Sequence, residues 1–119
     1  MHELALAESV VKIAEEHADG KRVTKVELAV GALRQVVPEA LAFGFEAVAV
    51  GTAAEGAVLE IDEVPARLAC EACGAETERS GFPLACGRCG SLDVDVRSGE
   101  ELLVLALELE GERDPERRA

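Results

Sequence analysis

The stretch Cys70-Glu71-Ala72-Cys73-Gly74 and its echo Cys86-Gly87-Arg88-Cys89-Gly90 hold every cysteine of the chain. Two residues between paired cysteines let a tight turn aim both sulfurs at one ion, and the glycine behind each pair permits the positive φ that such knuckles need. Two knuckles make a tetrahedral thiolate cage. The twelve residues between the pairs are slightly fewer than in the usual ribbon, yet they suffice for a short hairpin that returns the chain. Duplication of the motif with its glycines weighs against buried structural thiols, a disulfide pair or a redox Cys-x-x-Cys.

Four thiolates without histidine leave no open position for catalysis, so zinc is the leading ion. Iron, as in rubredoxin-like electron carriers, fits the same four sulfurs. The cage carries a formal charge of about −2 with a divalent ion, which backbone N–H groups and Arg67, Arg79 or Arg88 would moderate; those arginines otherwise read as solvated surface.

A chain of 119 residues suits a small core plus a metal-stapled lobe that burial alone would not fold. Its net charge is −12, from 24 acidic against 12 basic residues, so it repels phosphate backbones, which argues against a nucleic-acid-binding ribbon. Trp and Tyr are absent and Phe occurs three times, which disfavours stacking on bases. With no signal-peptide pattern, no apolar run of the roughly 18 residues that span a bilayer, and cysteines confined to metal-type pairs, the reading is a cytoplasmic protein without membrane association.

Around the cysteine lobe the pattern is α+β. Leu6, Val10, Ile13, Ala14 and His17 recur at helical spacing between Leu4 and about Ala18, and Asp19-Gly20 ends that helix. His17 reads as a packing or solvated last-turn residue. Arg22 to Val30 alternates as a half-buried strand with Thr24, Val26, Leu28 and Val30 on one face. Pro38 opens a second helix, with Glu39 favourable at its N-terminus and Leu41, Phe45 and Val48 as its buried stripe. Phe43 lies off that stripe, where partial core contact is expected.

A second strand runs from Ala57 to Val64, with Leu59 and Ile61 inward. Ser80-Gly81-Phe82-Pro83 reads as the turn between the knuckles. Leu102 to Leu109 is a third strand, apolar at nearly every position, which wants neighbours on both sides and belongs in the sheet of the first two. The expected organisation is therefore a three-stranded sheet with two helices over residues 1–66 and 98–110. A rubredoxin- or zinc-ribbon-like four-cysteine lobe is inserted at 67–97, and a charged tail over 111–119 is expected to be disordered.

Met1-His2-Glu3 is the second stretch with chemical content. The terminal amine, the amide nitrogen of His2 and its imidazole close a five- and a six-membered ring on one metal, and the amide of Glu3 or an outside ligand fills a fourth place. Square-planar nitrogen coordination suits Ni(II) or Cu(II) rather than zinc.

Met1-His2-Glu3 before an amphipathic helix, Val30-Gly31, Phe45-Glu46, Gly51-Thr52 before a strand, the doubled Cys-x2-Cys, and Gly99-Glu100-Glu101-Leu102 before a last strand together resemble the HypA/HybF family of hydrogenase nickel-maturation proteins. The resemblance covers residues 1 to about 110. It implies a metallochaperone rather than an enzyme, with transient nickel on His2, the Met1 amine and the His2 backbone, and with Glu3 as an adjunct. It implies a structural zinc on Cys70, Cys73, Cys86 and Cys89. Its implied partners are a HypB-type GTPase, the large-subunit precursor of nickel-iron hydrogenase and, in some organisms, urease maturation proteins, with the chaperone itself a monomer or weak homodimer.

Some members supply a further nickel ligand from a histidine in the zinc lobe, and this lobe has none. In others a carboxylate near the second helix joins the metal, for which Glu39 stands nearest. Competing readings are a rubredoxin-like electron carrier and a structural zinc-ribbon adaptor. Enzymatic activity finds no nucleophile–base pair, phosphate-binding glycine loop or open zinc site.

Overall fold

The computed structural model describes residues 2–111, so Met1 and the charged tail from residue 112 onward lie outside the described residues. The element order is α1 (His2–His17), β1 (Val23–Gly31), a short 3-10 turn (Ala32–Arg34), α2 (Pro38–Ala49), β2 (Val58–Val64), β3 (Ala66–Cys70), β4 (Glu76–Arg79), β5 (Val94–Ser98) and β6 (Leu102–Leu109). The fold is α+β, with two three-stranded sheets ordered β2-β1-β6 and β4-β3-β5. The last strand thus pairs with β1. No helix among the described residues is long and apolar enough to cross a membrane.

The described residues form two compact units. One comprises 2–28, 37–60 and 104–111, and its core is where α1 meets α2. The buried stripe of α1 is Glu3, Ala7, Val10, Val11 and Ala14, continued by Ala18. This is rotated from the expected stripe, for Ile13 is exposed and Leu6 half-buried. The cause is small side chains. A Cβ on Gly44 would stand 3.6 Å from the Ala7 methyl, so alanine facing glycine lets the helices approach closely, and bulkier Leu6 and Ile13 fall to the flanks.

Leu41, Phe45 and Ala49 complete the α2 face, and Pro38 sits in its first turn as expected. Phe43 is 77% exposed, because it projects from the side of α2 opposite Leu41 and Phe45, so the expected core contact is not made. In β1, Val23, Val26 and Leu28 are fully buried while Thr24 faces out and donates to the Glu108 carbonyl at 3.1 Å.

The second unit comprises 29–36 and 61–103. Strand β3 is central, antiparallel to β4 through Ala66↔Arg79 to Ala69↔Glu76 and to β5 through Arg67↔Ser98 to Cys70↔Val94, with an irregularity at Arg67/Leu68. Arg67 reaches across to Glu76 at 3.0 Å and Glu78 at 2.6 Å. Among residues 61–103, only Ala66, Leu68, Cys70 and Cys86 are buried apolar side chains. So small a core does not by itself specify a fold.

Candidate metal centres

The two cysteine knuckles are near copies of one another. In the first, the Gly74 N–H donates to the Cys70 carbonyl and the Cys70 N–H to the Ala75 carbonyl, both at 2.9 Å. In the second, the Gly90 N–H donates to the Cys86 carbonyl at 2.9 Å and the Cys86 N–H to the Ser91 carbonyl at 2.8 Å. Gly74 and Gly90 take φ of 77° and 78°, the left-handed conformation that a Cβ would strain. The spacing Cys-x2-Cys-Gly therefore builds the same turn twice.

These turns bring all four sulfurs within 4.8 Å of one another, and all four cysteines are free. Cys70 Sγ lies 3.6 Å from Cys89 Sγ, and Cys73 Sγ lies 3.7 Å from Cys86 Sγ. Zinc–sulfur bonds of about 2.3 Å directed to tetrahedral corners set sulfurs roughly 3.8 Å apart. The donor set fits a thiolate-held tetrahedral ion such as zinc, and the sulfurs are too far apart for disulfides.

Backbone N–H groups point at the sulfurs as well. Cys73 N–H donates to Cys70 Sγ at 3.3 Å, and Cys86 Sγ accepts from Arg88 at 3.3 Å and from Cys89 at 3.4 Å. The N–H groups of Cys89 and Arg88 draw the Cys86 thiol down to about 6 from an ordinary 9.0. Cys89 behaves oppositely. Although the Ser91 N–H pulls it down, the adjacent Cys70 sulfur and desolvation push it up to about 11. Deprotonation is thus easier at Cys86 than at Cys89.

Backbone N–H groups contribute to charge moderation at the cage. Arg88 contributes its N–H, whereas the Arg67 guanidinium is engaged by Glu76 and Glu78. Thr77 was not singled out from sequence. Its hydroxyl accepts from the Gly87 N–H at 3.0 Å and ties the second knuckle to β4, a role that a lone threonine in a polar strand does not announce.

His2 opens α1, two residues earlier than the periodicity placed the helix, with its side chain 53% exposed. Its Nε2 lies 3.7 Å from Glu3 Oε2. Glu3 is buried, and its Oε2 accepts from the Val37 N–H at 3.2 Å. The carboxylate adjoining His2 is therefore that of Glu3, while Glu39 stands exposed in the first turn of α2. The terminal amine expected to join His2 lies outside the described residues. His17 is exposed and bonds through Nδ1 to the Ile13 carbonyl at 2.9 Å, a last-turn contact as expected.

Residues 1–109 match the family model described as hydrogenase/urease nickel incorporation, metallochaperone, HypA. The hydrogenase maturation factor HypA of Geobacter metallireducens is 46% identical over 110 residues, covering 92% of this chain and all of that protein. The HypA of a Nostoc species is 42% identical over 110 residues, covering 92% of this chain and 96% of that protein. In solved structures, the nickel metallochaperone HypA from Helicobacter pylori shares the fold at a TM-score of 0.63 and 24% identity, covering 92% of this chain and 97% of that one. The chain accordingly belongs to the HypA family of metallochaperones for hydrogenase and urease nickel incorporation, which are maturation factors and not enzymes.

Proposed function

We propose that this protein carries Ni(II) at its N-terminus and helps to insert it into the precursor of the nickel-iron hydrogenase large subunit, in the cytoplasm and together with a HypB-type GTPase. The observation that carries the reading is His2 at the first turn of α1, exposed and beside the Glu3 carboxylate. The leading N–H groups of a helix have no intrahelical acceptor, so the amide of His2 can lose a proton to a metal without breaking the helix. Nickel is cargo here. The Met1 amine, the His2 amide and the His2 imidazole supply nitrogen ligands, with Glu3 adjoining, and the remaining position passes to water or to a ligand of the recipient.

Release follows from the same ligands. Binding needs a neutral imidazole and a deprotonated amide, so nickel affinity rises with pH and falls on acidification. The zinc-ribbon-like lobe at 67–97 is read as an insertion in a nickel domain formed by 1–66 and 98–110. Its Cys70, Cys73, Cys86 and Cys89 hold zinc in a closed shell whose contribution is structural. Urease maturation proteins are a second class of recipient, in keeping with the scope of the family.

X-ray absorption at the nickel and zinc edges of the doubly loaded protein tests the assignment. Nickel surrounded by nitrogen and oxygen alone, with zinc in four sulfurs, is the expected result. Sulfur in the nickel shell, or a red iron protein on purification from iron-replete cells, contradicts it.

A further inference from the structure

Helix α2 buries Leu41, Gly44, Phe45 and Ala49, and its opposite side carries a second apolar stripe. Ala40, Phe43 and Ala47 on that side are exposed, and Val50 at the C-cap continues the row at 66% exposure. Their spacing, three then four then three, is that of a heptad seam, with Ala40 and Ala47 at its a positions and Phe43 and Val50 at its d positions. Glu39 and Glu46 then both fall at g, the flank from which paired helices draw their ion pairs. The e position between them is Gly44, against which Leu4 of α1 lies. A Cβ on Gly44 would stand 3.7 Å from Leu4 Cδ1, and Leu4 is 52% exposed.

Single exposed apolar residues are ordinary surface, but a row in heptad register beside an exposed leucine is a patch. Its centre is Phe43, one of three aromatic residues in the chain. Its rim names the occupant. The carboxylates of Glu39 and Glu46 make no ion pair or hydrogen bond among the described residues, and α2 contains no lysine or arginine. Elsewhere carboxylates are held by Lys25, Arg67 and Arg97. A second copy brings no cation to this rim. An antiparallel two-fold pairing of α2 sets the g-position glutamates of one copy against those of the other. An anionic lipid surface is repelled by the same carboxylates.

We propose that the outer face of α2, together with Leu4, is a docking site for an amphipathic helix of a partner protein. That helix carries large apolar residues in heptad register and lysine or arginine on the flank facing Glu39 and Glu46. Its apolar side chains fill the space over Ala40 and Ala47, Phe43 is the central anchor, and the two glutamates set orientation. The surface does not depend on the nickel reading.

The test uses the full chain, ¹⁵N-labelled, with three synthetic helical peptides. One has leucine at every a and d position and lysine at every e and g, one has glutamate in place of those lysines, and one keeps the lysines with the leucine order scrambled. The expected result is perturbation of the Ala40, Phe43 and Ala47 amides by the first peptide alone. Phe43→Ser should weaken that binding about tenfold or more, the scale of one buried aromatic side chain. Exchanging Glu39 and Glu46 for lysine should weaken it about two- to fivefold for each ion pair lost and should admit the glutamate peptide. Glu16→Lys, at an exposed position of α1, should change it less. Circular dichroism verifies that each variant folds. Absence of perturbation on α2, equal binding of the scrambled peptide, equal loss in Glu16→Lys, or self-association through α2 without peptide would overturn the proposal.

Discussion

The backbone N–H of Val37 donates to the Glu3 carboxylate at 3.2 Å, which joins the residue beside His2 to the N-cap of α2. Val37 has no side-chain cap of its own, and Pro38 after it has no N–H, so a carboxylate from α1 accepts from the N-cap's own N–H, as the glutamate of a capping box does, and favours the positive end of the α2 dipole. Glu3→Ala removes that cap. A loss of about 1 kcal/mol is expected, read as a fall of roughly 4–8 °C in the melting midpoint. Glu3→Gln, which keeps an acceptor oxygen, should lose less.

A Cβ on Gly31 would collide with the Gly99 carbonyl oxygen, which accepts from the Leu33 N–H at 2.8 Å. Gly99 itself has φ of 114° and would set a Cβ 2.7 Å from the Cα of Ala66. Both neighbours are backbone and cannot rotate aside. Gly31→Ala is expected to cost about 3 kcal/mol, at the upper end of overpacking, whereas Gly56→Ala, with open space around it, costs only the strain of its positive φ. Urea denaturation of the two variants compares them.

Lys25 is held above its ordinary 10.5 by the Glu60 carboxylate at 3.2 Å, with Glu108 adding a smaller pull. A raised folded-state value favours the charged lysine, so its contribution is fully present below the unfolded value and is lost as pH rises through the folded one. The stability difference between wild type and Lys25→Met should be constant through neutral pH and vanish on the alkaline side of 10.5. Urea midpoints at a series of pH values follow it, and high salt should shrink the difference throughout.

Removing zinc should disorder the cysteine lobe, because Ala66, Leu68, Cys70 and Cys86 are the only fully buried apolar side chains of 61–103. With a chelator, the amides of β3, β4 and β5 should lose exchange protection while the buried residues of α1 and α2 keep theirs. Cys86→Ser should reproduce this without chelator.

Much of this was legible in the residues. Pro38, the glycines after each cysteine pair and the apolar run of β6 each marked an element that the chain forms, and the return of β6 to β1 followed from its composition. The rotation of α1 was not legible, since the choice of Ala7 over Leu6 as the buried residue depends on Gly44 lying opposite. The β4-β3-β5 sheet was missed because Glu76–Arg79 and Val94–Ser98 are short and polar and are held by pairing with β3. Leu103 and Leu105 stand exposed, so an apolar run demands a neighbour without guaranteeing one among the described residues. The four sulfurs were legible as a cluster, but Thr77 as the anchor of the second knuckle needed three dimensions.

Nickel titration by calorimetry, on zinc-loaded protein with its native N-terminus beside His2→Ala and a one-residue N-terminal extension, bears most directly on the N-terminal chelate. Loss of nickel binding in both variants, with zinc content and fold unchanged, is the expected result. Equal nickel binding by all three proteins would contradict it and leave the zinc lobe as a structural adaptor.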